Sequence, residues 1–144
     1  MARHVRTILA ALLGLIPGIT SATSREEAQL ARYERFAGDP VDSMPFWRMQ
    51  GFETLGRDTV LVWTSLNDAW LVTVYPVCPD LEWANALALT SSVNKVSAKF
   101  DYVLVRQDRC KIKTIRHVDY KAYRASREQE RDEAHPRKEP AAEQ

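Results

Sequence analysis

The chain has 144 residues, of which 45% are hydrophobic and 27% charged, and its formal net charge is +1 at pH 7. A chain of this length is expected to form one domain. The near-neutral charge argues against nucleic acid or an anionic membrane surface as a partner, because both require a basic face and the sequence contains no basic stripe.

Residues 1–22 have the layout of a secretory signal peptide. Arg3 and Arg6 precede an apolar run from Ile8 to Ile19, and small residues follow as far as Ala22. The run is shorter than the roughly 20 apolar residues of a membrane span. We therefore predict cleavage after Ala22 and export to the periplasm or the exterior, without a transmembrane anchor. Losing the two arginines leaves 18 basic and 19 acidic residues, a net charge of −1.

Residues 23–37 are predicted to form an N-terminal helix. Ser24 and Glu27 fit a capping box, in which each side chain satisfies a backbone amide at the helix start. The alternative for this segment is a frayed mature terminus. Gly38-Asp39-Pro40 is predicted to break the helix.

Residues 38–124 are predicted to form a globular, β-rich domain. The aromatic segment Phe46–Leu55 is its expected first strand. Thr59–Thr64 and Ala69–Tyr75 flank a turn at Leu66-Asn67-Asp68, which is the strongest hairpin signal in the chain. Both strands are apolar at successive positions, so both faces of the hairpin are expected to be covered.

After the hairpin, a short helix over Leu81–Leu87 is predicted to follow Pro79 and to cover one face of the sheet. Lys95–Phe100 alternates apolar and polar residues as a half-buried strand does. Tyr102–Arg106 and Cys110–Val118 continue the extended chain. One helical turn from Val118 to Tyr123 is predicted to end the domain.

Residues 125–144 are predicted to be a charged, disordered tail. Alanines are its only apolar residues. Such a segment buries too little apolar surface to offset the entropy of ordering, although part of it could extend a solvated helix. The predicted fold class is therefore α+β: one small domain dominated by an antiparallel sheet, with a short covering helix and one disulfide.

Cys78 and Cys110 are the two cysteines of the chain. In an oxidising compartment, a lone pair of cysteines is expected to form a disulfide. The bond would close a loop of about 32 residues and stabilise the fold by about 3.7 kcal/mol in the chain-entropy model. A redox-active or metal-binding pair is the alternative, but the spacing is not Cys-x-x-Cys and a zinc site would need further ligands.

His117 is the one histidine inside the predicted domain. On a continuing strand it would share a face with Asp119, so an acid–base dyad or a partial metal site is one hypothesis. An ordinary surface pair is the alternative, because dyad chemistry also needs a pocket and a third group. The sequence therefore assigns no catalytic, cofactor-binding or metal-ligating residue, and no cofactor is expected.

Four tryptophans are many for a domain of this size: Trp47, Trp63, Trp70 and Trp83. Exposed tryptophans could stack on sugars or on a peptide, but large aromatic side chains more commonly supply core area. We therefore expect most of the four to be buried. Because Trp63 and Trp70 flank the hairpin turn, a pocket that they line together is an alternative hypothesis.

Several short segments between Tyr33 and Asp119 carry a resemblance to a known family. They are Val60–Thr64, Cys78–Leu81, Leu89–Ser92, Phe100–Val103 and Cys110–Ile112 with Ile115 and Asp119. The set resembles a family of small exported bacterial proteins known only as a domain of unknown function. The resemblance implies export and a paired-cysteine, β-rich domain, and it transfers no catalytic residue.

Together these features predict an exported periplasmic protein with a non-catalytic binding or envelope-associated role. A protein partner in the envelope is compatible with that role. Two alternatives remain open: a small enzyme that uses His117 with neighbouring carboxylates, and a small-ligand binder with a pocket lined by Trp63 and Trp70.

Overall fold

The structure, a computed structural model, describes residues 22–135, and their side chains from Arg25 onward. The predicted signal peptide, apart from Ala22, lies outside the described residues, as do residues 136–144 and the side chain of Ser24. No helix within the described range is long and apolar enough to cross a bilayer.

Two helices and nine strands make up residues 22–135. In chain order they are α1 (Ala22–Glu34), β1 (Ala37–Val41), β2 (Ser43–Pro45), β3 (Gly51–Thr54), β4 (Thr59–Ser65), β5 (Asp68–Val74), β6 (Ala88–Leu89), β7 (Lys95–Ser97), β8 (Tyr102–Val105), β9 (Asp108–Val118) and α2 (Tyr120–Ala134). The predicted fold class, α+β with an antiparallel sheet and one disulfide, is confirmed.

The main sheet is antiparallel and has the strand order β3-β4-β5-β9-β8-β6. Strand β9 is long enough to hold two neighbours along the edge opposite β5. Its first residues, Asp108–Lys111, pair with β8, and Ile115–Val118 pair with β1. β2 and β7 form a separate two-stranded sheet.

The β4–β5 hairpin confirms the strongest sequence prediction, and it lies between β3 and β9 in the main sheet. Ser65 pairs with Asp68 across the turn, but the next pair is Trp63 with Ala69, so Thr64 is an extra residue in β4. This bulge shifts the alternation of β4 by one position relative to β5. Val62 therefore lies opposite Trp70, and Trp63 and Trp70 face opposite sides of the sheet.

Apolar side chains cover both faces of the sheet, as predicted from the hairpin. We call the two groups the first and the second core cluster. The first includes Val62, Trp70 and Val72, and residues of β2, β6, β7 and the loops at 46–49 and 81–87 pack against it. The second includes Leu61 and Leu71 and is completed by Tyr33 of α1 and Tyr123 of α2.

The predicted Cys78–Cys110 disulfide is present, with the two Cα atoms 5.5 Å apart. Cys78 follows β5 and Cys110 lies on β9, and both are buried in the first core cluster. The bond therefore fastens the loop after β5 to the long strand.

The predicted helix over Leu81–Leu87 is wrong, because no helix forms there. This segment forms consecutive turns, in which Leu81 N–H bonds to Cys78 O and Ala84 N–H to Leu81 O. Leu81 is fully buried, while Ala84 and Leu87 pack against the same cluster. A spacing of three residues puts side chains on one face in turns as well as in a helix, so the sequence pattern did not distinguish them.

Two strand predictions were too long, and one predicted break is a strand. Of Phe46–Leu55 only β3 is extended, and of Lys95–Phe100 only β7 is. Lys99 has a φ of 68°, and this left-handed residue turns the chain after β7. Helix α1 ends at Glu34, and Gly38-Asp39-Pro40 lies within β1, where an edge position tolerates proline.

The C-terminal helix is longer than the predicted single turn. Residues 125–134, predicted to be disordered, form the larger part of α2. Asp119 caps the helix by accepting a hydrogen bond from Ala122 N–H at 2.9 Å. The sequence beyond Tyr123 is rich in Ala, Arg, Gln and Glu, which favour a helix without a core to pack against. Tyr123 is the one buried residue of α2.

Candidate functional site

His117 lies at the end of β9, opposite Trp70 of β5. Its Nε2 atom is 2.9 Å from Asp68 Oδ1. The predicted partner, Asp119, is wrong, because the strand ends at Val118 and the carboxylate of Asp119 caps α2. The structure thus brings His117 and Trp70 together, and it adds Asp68 as the partner of the imidazole.

Asp68 is the centre of a cluster that we call the Asp68 cluster: Thr64, Asp68, Trp70 and His117. Its carboxylate accepts hydrogen bonds from the Thr64 hydroxyl and from Trp70 Nε1, the latter at 3.0 Å. The rings of Trp70 and His117 meet edge to face with centroids 4.7 Å apart. The bulge at Thr64 aligns its hydroxyl with Asp68, so the sheet irregularity itself builds the cluster.

Burial by itself would raise the pKa of Asp68. The hydrogen bonds from Thr64, Trp70 and His117, together with the charge of His117, outweigh burial and hold the pKa below its ordinary value. Asp68 is therefore an ionised carboxylate with three donors. Such a group orients the imidazole in the way that a carboxylate orients a general base.

The chemistry open to His117 is nevertheless limited by its surroundings. Its side chain is 48% exposed, and one ring nitrogen is engaged by Asp68. Within the described residues, no group of three or more His, Cys, Asp or Glu side chains could hold a metal ion. The Asp68 cluster thus contains an oriented imidazole at the surface, and its clearest role is to join β4, β5 and β9.

Trp63 lies on the opposite face from Trp70, so the predicted pocket that both would line is wrong. Trp63 instead meets Tyr120 of α2 edge to face, with centroids 5.7 Å apart. It lines a surface pocket of about 380 Å³. We call this the Trp63 pocket, and its other lining residues are Gln50, Gly51, Ser65, Leu66, Tyr120 and Arg124.

The expectation that most tryptophans are core residues is wrong for two of them. Trp70 is 8% exposed, but Trp47 is 81% and Trp83 67% exposed. Both exposed indoles lie on loops that cover the first core cluster. Phe46 and Met49 anchor the first loop, and Leu81 and Ala84 anchor the second. We call these two loops, residues 46–49 and 81–87, the covering layer.

Sequence patterns did not indicate that Asp68 and Thr64 contact each other or that Arg124 lines the Trp63 pocket. The sequence places Asp68 in the hairpin turn, and its position two residues before Trp70 is the sign that both side chains share a face. Arg124 is the last residue of the predicted domain. Its neighbour in the pocket, Trp63, lies far away in sequence, so no local pattern connects them.

Comparison with known proteins gives a family but no activity. The model of DUF6491, described as a family of unknown function, matches residues 1–134. This range is wider than Tyr33–Asp119, on which the resemblance in the sequence rests. The β-rich fold and the paired cysteines that the resemblance implied are both present. No curated protein and no solved structure matches the chain.

Proposed function

The chain belongs to DUF6491, a family of unknown function, and we propose that it is an exported, non-catalytic protein that binds another protein in the cell envelope. The observation that carries this proposal is the exposure of Trp47 and Trp83 on the covering layer.

Tryptophan side chains are usually buried at least in part, so a largely exposed indole is unusual. Its ring would stabilise the fold if it were buried, and tryptophan is enriched among the residues that dominate protein–protein binding energy. Exposed apolar surface beyond isolated side chains commonly marks an interaction site. Two such indoles on one layer, over one core cluster, are therefore best explained by a partner that covers them.

The covering layer is also held in place before any partner arrives. Phe46 N–H donates to Asn94 O at 2.8 Å, which joins the Trp47 loop to the turn that the Ser92–Lys95 bridge closes. Leu81 and Ala84 hold the Trp83 loop through successive turns. A surface ordered in advance loses less conformational entropy on binding.

The chemistry next to Trp47 favours a protein over a polysaccharide. Val93, in the turn that Phe46 contacts, is 90% exposed and apolar. Exposed apolar surface that extends beyond a single indole suits an apolar protein surface.

Export is supported by the charged and apolar layout of residues 1–22 and by the Cys78–Cys110 disulfide, which suits an oxidising compartment. N-terminal sequencing of the mature protein should begin at Thr23. Recovery of chains that all retain Met1 would contradict export by cleavage.

In-cell photo-crosslinking tests the partner surface. A photoreactive amino acid is placed at position 47, 83 or 121, the last being exposed Lys121 on α2, which packs on the other face of the sheet. We expect the same discrete protein adduct from positions 47 and 83 and none from 121. No adduct at either tryptophan position, an adduct shared by all three, or a glycan adduct would each reject the proposal.

A further inference from the structure

We infer that the Trp63 pocket binds a small ligand that combines a ring with a carboxylate. The inference is independent of the proposed partner surface, because the pocket lies on the face of the sheet that α2 covers. It depends on three properties of the pocket: an aromatic floor, one available guanidinium, and a size that suits a single ring.

The aromatic floor is rigid. Gln50 N–H donates to Trp63 O at 2.8 Å, which holds the start of β3 beside β4. Tyr120 meets Trp63 edge to face and is itself stacked on buried Tyr123, with centroids 5.7 Å apart. A Cβ atom at Gly51 would lie 3.8 Å from the indole, so glycine leaves that side of the ring free of a side chain. The floor can therefore stack on a flat or ring-shaped ligand.

Arg124 is the one charged residue among those that line the pocket. Its guanidinium donates a long hydrogen bond of 3.4 Å to Asn67 Oδ1. Among the described side chains it has no ion-pair partner, in contrast to Arg127, which pairs with Glu130 at 2.8 Å. Several of its five N–H donors thus remain available, in the planar arrangement that a carboxylate accepts.

A single guanidinium with no second cation matches a monoanion better than a phosphate, which is usually bound by several donors. Gln50 and Ser65 add polar groups at the margin that can bond to hydroxyls of a ligand. A cavity of about 380 Å³ lies at the small end of the roughly 300–1,000 Å³ of ligand pockets. The ligand is therefore one ring with few substituents.

The test is a titration of the full mature chain with paired probes, followed through the indole N–H resonance of Trp63. Glucuronate and glucose form the sugar pair, and benzoate and benzyl alcohol form the aromatic pair. The resonance is assigned with Trp63→Phe. We expect the acid of at least one pair to shift the Trp63 resonance saturably, and to bind at least about tenfold more tightly than its neutral partner. The pair that responds identifies the source of the ring.

Arg124→Gln and its matched control Arg127→Gln decide the role of the guanidinium. Both residues are exposed on α2, so neither change should disturb folding. Arg124→Gln should weaken acid binding about tenfold or more and remove the preference over the neutral probe, whereas Arg127→Gln should leave both unchanged. The inference is rejected if no probe shifts the resonance, if acid and neutral probes bind equally to the native chain, or if the two variants behave alike.

Discussion

The Nε2 atom of His117 lies 2.9 Å from Oδ1 of Asp68, although the two residues are 49 positions apart in the chain. This contact joins the start of β5 to the end of β9. Because Asp68 also accepts a hydrogen bond from Thr64 of β4, one carboxylate ties together three strands of the main sheet. Trp70 closes the cluster by donating to Asp68 and packing against the imidazole.

The Asp68 cluster predicts a specific acid sensitivity. The pKa of Asp68 is lower in the folded protein than its ordinary value of about 4, which represents the unfolded chain. Ionised Asp68 therefore stabilises the fold above about pH 4, and this contribution is lost as the pH falls through the folded pKa. The difference in unfolding free energy between the native protein and Asp68→Asn should narrow as the pH falls below about 4.

Urea unfolding from pH 7 to pH 2 measures that gap. Asp39→Asn, at an exposed position on β1, is the matched control and should show no such narrowing. A gap for Asp68→Asn that stays the same across the whole range would contradict the prediction.

His117→Ala separates a structural role from a catalytic one. It removes one hydrogen bond to Asp68 from a half-exposed side chain, so we expect a loss of about 1 kcal/mol or less and an intact cellular role. Trp83→Ala is the matched comparison. It should leave unfolding nearly unchanged but impair the role, because the indole is on the covering layer. Loss of function in His117→Ala with unchanged unfolding would instead support the small-enzyme alternative.

Trp70 should be the tryptophan on which stability depends most. It is buried in the first core cluster and also donates to Asp68, so Trp70→Ala should lower the unfolding free energy by about 3–5 kcal/mol. Trp63→Ala should cost less, because one side of its indole faces the pocket. Denaturant midpoints of the two variants rank them, and a larger loss for Trp63→Ala would show that the core assignment is wrong.

Removing the disulfide should destabilise the protein by about 2–5 kcal/mol. The double variant Cys78→Ala/Cys110→Ala opens a connection between positions 32 residues apart and leaves two buried alanines in the first core cluster. Thermal unfolding measures the loss. Thiol labelling of the denatured native protein without reductant is the control, and full labelling of both cysteines would mean that the bond is absent.

The outer part of α2 should be dispensable for stability. Truncation after Ser126 retains Tyr123, which packs on Tyr33 and Phe36, and removes residues 127–135 that are all exposed. We expect a thermal midpoint within a few degrees of the native value. Tyr123→Ala in the full chain should instead lower it by many degrees, since it opens the second core cluster. A large drop on truncation would show that the outer helix docks on the domain.

The sequence correctly predicted features that depend on a local residue pattern or on the number of cysteines. The β4–β5 hairpin follows from two apolar, β-branched segments around a short polar turn, and burial of both its faces follows from the absence of alternation. The disulfide follows from there being two cysteines to pair. The cap at Asp119 was not predicted, and the length of α2 was underestimated, because a solvated helix has no apolar period in its sequence.

The tertiary structure alone decided which residues meet. A regular hairpin with Ser65 opposite Asp68 would place Trp63 opposite Trp70, on one face. The single extra residue at Thr64 sends them to opposite faces, so Trp70 joins the Asp68 cluster while Trp63 forms a pocket with α2. Because side chains alternate between the two faces of a strand, a shift of one residue in the pairing moves each side chain to the other face. The pairing of β5 with β9 depends on long-range packing, which no local sequence pattern indicates.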